Sequence, residues 1–155
     1  MTAQSTGILV DTNILVYAVD PSEPVKQQVA VAIIEELGIA GKGTISTQIL
    51  GEYFNTVTRK LRPPMPTSDA EWNVRLFVRE WRVFPLTADV VLAAVALVQR
   101  HSFSYWDALI WATAWLNGVR TILTEDQNDG LLLDGVRFRN PFTPHFDLAA
   151  VLQTP

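Results

Sequence analysis

Apolar and polar positions alternate along this chain in a way that predicts strands and helices in turn. Gly7–Val10 is a short apolar, β-branched run that ends abruptly at Asp11, the pattern of a buried strand. Asn13–Val19 follows as a short helix. Pro21 and Pro24 break the chain, and Val25–Leu37 reads as a second helix ending near Gly38. Gly43–Ser46 is a brief strand, and Thr47 can cap a helix from Gln48 to about Lys60. Pro63, Pro64 and Pro66 make a rigid turn. Ser68-x-x-Glu71 has the form of a capping box for a helix to about Arg82. Val83–Leu86 is a weak strand interrupted by Pro85, and Thr87–Arg100 a helix. Ser104-x-x-Asp107 opens another helix, which runs to about Asn117 before Gly118. Val119–Leu123 and Val136–Phe138 are the last strands, followed by a Pro-rich tail over 141–155 outside an ordered core of about 7–140.

Strands this few, short and apolar, with helices between them, predict an α/β protein: a three-layer α/β/α sandwich around a short central parallel sheet. Such a sheet binds ligands at the carboxyl ends of its strands, where the strand order reverses. At 155 residues, with 48% apolar and 18% charged residues, the chain is expected to form a single domain with its own core. It has no cysteine, which excludes a disulfide scaffold and a thiolate metal site. Met1–Thr6 is polar and uncharged, without the basic and apolar regions of a targeting signal, and no apolar stretch is long enough to span a bilayer. A soluble cytoplasmic protein is therefore expected.

Carboxylates fall where the predicted sheet would use them. Asp11 follows the first strand, and Glu125, Asp126 and Asp129 follow the strand ending at Leu123. Glu52 lies in the second turn of its helix, and Asp107 in the first turn of the helix preceding that strand. Distant parts of the chain thus offer acids to one rim. Oxygen-only sites suit Mg²⁺ or Mn²⁺, which keep several waters and accept substrate phosphate oxygens. One or two such ions can activate water and stabilise a leaving oxygen. The cluster also needs a cation, because two carboxylates about 5 Å apart repel by about 3 kcal/mol at an effective dielectric of about 20.

Each acid has a plainer reading. Asp11 and Asp107 can cap helices, with Asp107 also stabilised by the helix dipole. Glu52 alone would be a solvated helix residue. Asp126, Asn128 and Asp129 before Gly130 can be turn formers. Only their joint placement favours function. Net charge is −4, which argues against a nucleic-acid partner. Setting aside the six acids at the rim leaves 10 acidic against 12 basic residues, a balance of +2. Arg59, Lys60 and Arg62 form the densest basic run and are candidate phosphate contacts or a solvated helix end. Arg137 and Arg139 read as one exposed strand face. His101 and His145 lie outside the acidic motifs and read as surface or packing residues. Tyr105, Trp106, Trp111 and Trp115 share a helix, and core packing is favoured over base stacking for the tryptophans.

Val10-Asp11-Thr12-Asn13-Ile14-Leu15, Glu52 within Gln48–Glu52, Ser104-Tyr105-Trp106-Asp107-Ala108-Leu109-Ile110 and Leu123-Thr124-Glu125-Asp126 together resemble the PIN-domain ribonucleases, most closely the VapC toxins of prokaryotic toxin–antitoxin pairs. The resemblance covers nearly the whole chain, with the four motifs in family order and spacing. It implies hydrolysis of RNA, transfer RNA included, with one or two Mg²⁺ or Mn²⁺ ions. Asp11, Glu52, Asp107 and Asp126 match the four family acids, with Asp11, Asp107 and Asp126 as metal ligands. Glu125 and Asp129 are alternatives to Asp126. Thr12 or Asn13 would orient Asp11 or a metal-bound water, and Thr124 would help position substrate. The resemblance further implies a homodimer and a cognate antitoxin gripping a groove bordered by the first three helices, with a cationic side chain entering the acidic pocket. Two competing readings are an inert RNA- or protein-binding module on the same fold, and an aspartyl-phosphate phosphatase. The second is disfavoured by Asn13, where such enzymes place a second acid.

Overall fold

A computed structural model describes residues 7–154. Its elements are β1 (Ile8–Val10), α1 (Thr12–Tyr17), α2 (Pro24–Ala40), β2 (Gly43–Ser46), α3 (Thr47–Arg59), α4 (Thr67–Glu80), β3 (Arg82–Phe84), α5 (Ala88–Arg100), α6 (Tyr105–Leu116), β4 (Thr121–Leu123), β5 (Leu132–Leu133), β6 (Val136–Arg139) and α7 (Leu148–Gln153). One six-stranded sheet has the order β3-β2-β1-β4-β6-β5. All neighbours are parallel except β5 and β6, which form a hairpin through Asp134 and Gly135. The parallel α/β architecture expected from the pattern is thus present. Helices flank the sheet as two groups, α1–α4 packing among themselves and α5 packing on α6.

The buried runs explain the layering. β1, β2 and β4 have every residue buried, as strands covered on both faces must. Large side chains that fill the interior include Leu9, Ile45, Ile49, Tyr53, Leu97, Leu109, Trp111 and Phe138, each under 3% exposed. Burial of this apolar surface, at roughly 25 cal/mol per Å², is the main force holding the layers together. Tight approach also matters. A Cβ at Gly43 would lie 2.4 Å from the Trp81 ring, so only glycine lets that indole cover β2.

Several boundaries differ from the sequence reading. Helix α2 continues through Gly38 to Ala40, after which Gly41 takes the left-handed conformation (φ 62°) and caps Gly38 and Leu37 carbonyls. Helix α4 begins after Pro66 without a side-chain cap, so the Ser68–Glu71 capping box does not form. Helix α1 ends at Tyr17, and β3 covers Arg82–Phe84, stopping before Pro85. The Pro-rich tail is not outside the core: α7 buries Val151, and Lys42 donates to the Leu152 carbonyl. No helix of the described residues is long and apolar enough to cross a membrane.

Candidate metal centre

Strand order determines where the carboxylates meet. The chain adds β2 and β3 on one side of β1, then returns to place β4 on the other. β1 and β4 therefore flank the point where strand order reverses, and a crevice opens beyond their carboxyl ends. Asp11 leaves β1 there, its N–H bonded to the Leu123 carbonyl at 2.9 Å. Asp126 leaves β4. Asp107 arrives in the first turn of α6, which Ser104 caps by accepting the Asp107 N–H at 3.1 Å. One carboxylate oxygen from each of Asp11, Asp107 and Asp126 lies within 4.8 Å of the other two.

Asp11 is the buried member, at 5% exposure. Its Oδ1 accepts the Thr12 N–H at 2.6 Å, so the capping role is real. Its Oδ2 accepts the Thr124 hydroxyl at 2.8 Å and faces Asn13 Nδ2 at 3.4 Å. Burial is the main cause of a pKa raised from 3.8 to about 7, with the charges of Asp126 and Asp107 adding to it against the hydrogen bonds from Thr124 and Thr12. Asp126 is also raised, chiefly by desolvation, with Asp107 and Glu125 contributing and the Asn13 hydrogen bond opposing. Asp107 Oδ2 accepts from Gln127 Nε2 at 3.2 Å.

Thr124 and Asn13 tie the cluster together. The Thr124 hydroxyl also accepts the Asp126 N–H at 3.1 Å, which turns the chain after β4 back toward Asp11. Asn13 Nδ2 faces Asp126 Oδ2 at 3.1 Å and Thr124 Oγ1 at 3.3 Å. The fourth acid, Glu52, stands beside this group rather than in it. Its Oε2 accepts the Thr12 hydroxyl at 2.8 Å and its Oε1 accepts from Gln48 Nε2 at 3.0 Å. Thr12 thus orients Glu52 with its side chain and Asp11 with its backbone, while Asn13 orients Asp11 and Asp126.

Neither Glu125 nor Asp129 takes the place of Asp126. Glu125 is bound to Lys26 Nζ at 2.8 Å and to the Tyr17 hydroxyl, and Lys26 also lies 4.6 Å from the Tyr17 ring centroid. Asp129 accepts from the Asn140 N–H at 2.9 Å and from Arg139 Nε at 3.0 Å, which in that order hold its pKa below the usual carboxylate range. Sequence reading missed Lys26, Tyr17 and Gln127, because the pairs they form span 99, 108 and 20 residues. Gln48 was findable, four residues before Glu52 on one helix.

The basic run is not brought to the cluster. Arg59, Lys60 and Arg62 are exposed at the far end of α3, about 10 Å along the axis from Glu52 at 1.5 Å per residue. Arg62 folds back on the carbonyls of Arg59 and Leu61, both at 2.9 Å. His101 and His145 are exposed, as expected of surface residues. Of the Arg137/Arg139 pair, Arg137 is exposed and Arg139 is half-buried against Asp129.

The arrangement suits a hard divalent cation. Its donors are carboxylate oxygens without sulfur or nitrogen, the set preferred by Mg²⁺ and Mn²⁺. Two further buried oxygens, Asn13 Oδ1 and Gln48 Oε1, have no hydrogen-bond donor among the described residues. Waters of a hydrated cation would satisfy such oxygens, and its charge would offset the burial and repulsion that raise Asp11 and Asp126.

A profile of the PIN domain matches residues 8–130, a span that includes all four acids. The chain belongs to the PIN-domain family. No curated protein matches its sequence. Among solved structures, this PIN domain is similar to a toxin–antitoxin complex from Klebsiella pneumoniae, at 21% identity over 88% of this chain and 98% of the other, with a TM-score of 0.63. It is similar to FitAcB from Neisseria gonorrhoeae at 18% identity, covering 90% and 99%, with a TM-score of 0.63. It is also similar to VapC20 from Mycobacterium tuberculosis, a sarcin-ricin-loop-cleaving toxin, at 22% identity, covering 84% and 99%, with a TM-score of 0.58. These likenesses cover most of this chain and nearly the full length of each relative.

Proposed function

We propose that this PIN domain is a Mg²⁺- or Mn²⁺-dependent endoribonuclease, acting in the cytoplasm as the toxin of a toxin–antitoxin pair. The observation that carries the reading is the meeting of Asp11, Asp107 and Asp126 within 4.8 Å at the switch point of the sheet. These three residues would hold the ion, with Glu52 alongside. A bound divalent ion supplies Lewis-acid stabilisation of a phosphate oxygen and lowers the pKa of a coordinated water. Asn13 and Thr124 keep Asp11 and Asp126 facing each other, and Thr12 and Gln48 fix Glu52. Glu52, held by these two hydrogen bonds, then stands at the edge of the cluster as a further acceptor. Substrate RNA, transfer RNA among the candidates, would approach from the open carboxyl side of the sheet, with Arg59 and Lys60 as outlying phosphate contacts.

The antitoxin reading draws on the solved relatives, several of which are toxin–antitoxin complexes. This chain has a groove of about 570 Å³ between α1, α2, α3 and α4, lined by Leu15, Ile34, Ile39, Phe77 and Trp81 with Glu35 and Glu80 among them. An apolar helix face flanked by cations fits that lining. On the other side, Leu92, Val95 and Trp115 leave apolar surface exposed on α5 and α6, which a homodimer would cover.

The deciding experiment is RNA cleavage with Mg²⁺ or Mn²⁺, with and without EDTA, for the wild type and folded Asp107→Asn. Metal-dependent cleavage lost in the variant is expected. Full activity in the variant would move the site elsewhere. Absence of both cleavage and Mn²⁺ binding at millimolar metal would favour an inert binding module.

A further inference from the structure

Helix α6 carries three tryptophans, and the fold treats each differently. Trp111 is 1% exposed and donates its indole N–H to the Leu133 carbonyl at 3.1 Å. Trp115 stacks on Trp111 with centroids 5.3 Å apart and planes 11° from parallel, so one of its faces is covered. Trp106 is 60% exposed, and its aromatic neighbour is Tyr105, edge-on at 5.3 Å and 62°. The core thus accounts for Trp111, and Trp115, though 45% exposed, has one face covered by it, whereas Trp106 has no stacked partner.

The placement of Trp106 is specific. It immediately precedes Asp107 in the first turn of α6, where the Ser104 cap fixes the backbone. Its carbonyl accepts from Gln48 Nε2 at 3.3 Å, and that same amide donates to Glu52 at 3.0 Å. The backbone of Trp106 is therefore pinned between the triad acid Asp107 and the flanking acid Glu52. Side chains lean toward the N-terminus of their helix, so an indole in the first turn reaches past the start of α6. That direction is the carboxyl side of the sheet, where the acids converge. A large flat apolar ring is left in water at the edge of a site built for phosphate.

We propose that Trp106 is a stacking platform for one unpaired RNA base beside the phosphate held at the acid cluster. The inference rests on the ribonuclease reading above. The acids can engage a phosphate through a cation but have no means of holding a base. An exposed indole steadied edge-on by Tyr105 offers the missing surface. Every base has a π face, so the contact selects a base free to leave its stack rather than a base of given identity. It also orients the nucleotide, because one end is held by the ring and the other by the ion.

The test compares wild type, Trp106→Ala and Trp106→Phe on a short oligoribonucleotide that the wild type cleaves with Mn²⁺. Single abasic ribosides are placed in turn at each position around the cleavage site. In the wild type, one position is expected to raise KM by on the order of 10-fold to 100-fold when its base is removed. Trp106→Ala should raise KM of the intact oligonucleotide by a similar factor, with a smaller change in kcat, and Trp106→Phe should recover part of the loss. Removing the same base from the substrate of Trp106→Ala should then add nothing. Mn²⁺ affinity, measured by calorimetry, should be equal in all three proteins. The same abasic penalty in wild type and Trp106→Ala would overturn the proposal. So would an altered Mn²⁺ affinity, which would make Trp106 a support for Asp107. Lost self-association with unchanged KM would overturn it too, in favour of a protein contact. A wild type that cleaves no RNA defeats the nuclease reading together with this one, whereas an active wild type with additive penalties defeats this one alone.

Discussion

Three acids lie among the six residues that follow β4, and their surroundings divide them into two kinds. Glu125 and Asp129 are each paired with a cation, Lys26 and Arg139 respectively, and accept further hydrogen bonds. Asp126, between them, faces Asp11 and Asp107 and has only the Asn13 amide and its own backbone tie to Thr124. The paired acids hold the loop in shape. The unpaired one carries charge that the protein does not neutralise, although the fold brings Lys26 and Arg139 to its two neighbours. An acid left uncompensated beside compensated neighbours is where an external cation has work to do.

The contrast breaks or sharpens with substitution at those three positions. The largest effect is expected for Asp126→Asn, which should lower metal-dependent RNA cleavage by on the order of 10²- to 10³-fold, in line with several kcal/mol of lost charge stabilisation. Single-turnover cleavage of a labelled RNA at saturating Mn²⁺ measures it, and a rate within about two-fold of wild type would remove Asp126 from the site.

A second effect appears in stability. Asp11 has a folded-state pKa near 7 against 3.8 for an unperturbed carboxyl. At this site the folded protein therefore binds more protons than the unfolded chain between these values, and the contribution of Asp11 to stability falls as pH rises from about 4 to about 7. At about 1.4 kcal/mol per pKa unit, the loss is on the order of 4 kcal/mol. Urea unfolding in EDTA across this range should show the decline, saturating Mn²⁺ should reverse it at the upper end, and Asp11→Asn should flatten it. A metal-free wild type whose stability is level across the range would show that Asp11 is relieved in another way.

Smaller effects test the paired acids. Lys26→Met frees Glu125 and loosens the loop behind Asp126, so a loss of about 10-fold in Mn²⁺ affinity is expected by calorimetry, the scale typical of groups that orient ligands. Glu125→Gln should weaken affinity less, and the two changes together should cost less than their sum, because one pair is broken only once. Asp129→Asn should leave cleavage within about two-fold and lower stability by under about 1 kcal/mol, as for a half-exposed ion pair. Equal losses from Asp126→Asn and Asp129→Asn would erase the distinction altogether.

Much of the frame was legible because it is written locally. Short, largely apolar strands and several capped helices announce themselves within a few residues, and they put Asp11 at a strand end and Asp107 in a capped first turn, whereas Glu52 and Asp126 stood out only through the family resemblance. What escaped was decided at a distance or by weak local signals. The two-residue strand β5 exists only through its pairing with β6. Helix α7 is short, lies in a tract of prolines, and is secured by Val151 and the Lys42–Leu152 contact rather than by propensity. Gly38 looked like a helix end, yet it has open space around it and stays helical, while Gly41 makes the turn. The choice among Glu125, Asp126 and Asp129 was beyond local reading. It depends on Lys26 and Arg139, whose partners only the folded chain supplies. The tryptophans of α6 looked alike in sequence, and burial alone separates Trp106 from Trp111.

The strand order also sets a schedule. β1 is made first and stays at the centre of the sheet, but the strand that completes its other flank, β4, is among the last to be made. Asp11 emerges early, Asp107 much later, and Asp126 only after β4 itself. At synthesis rates of about 5–20 residues per second, the stretch from Asp107 to Asp126 alone takes roughly one to four seconds. Until then a growing chain can fold its first helices against β1 and β2, yet it holds an incomplete set of acids. Whatever chemistry the full set performs has to wait until Asp126 joins the other acids.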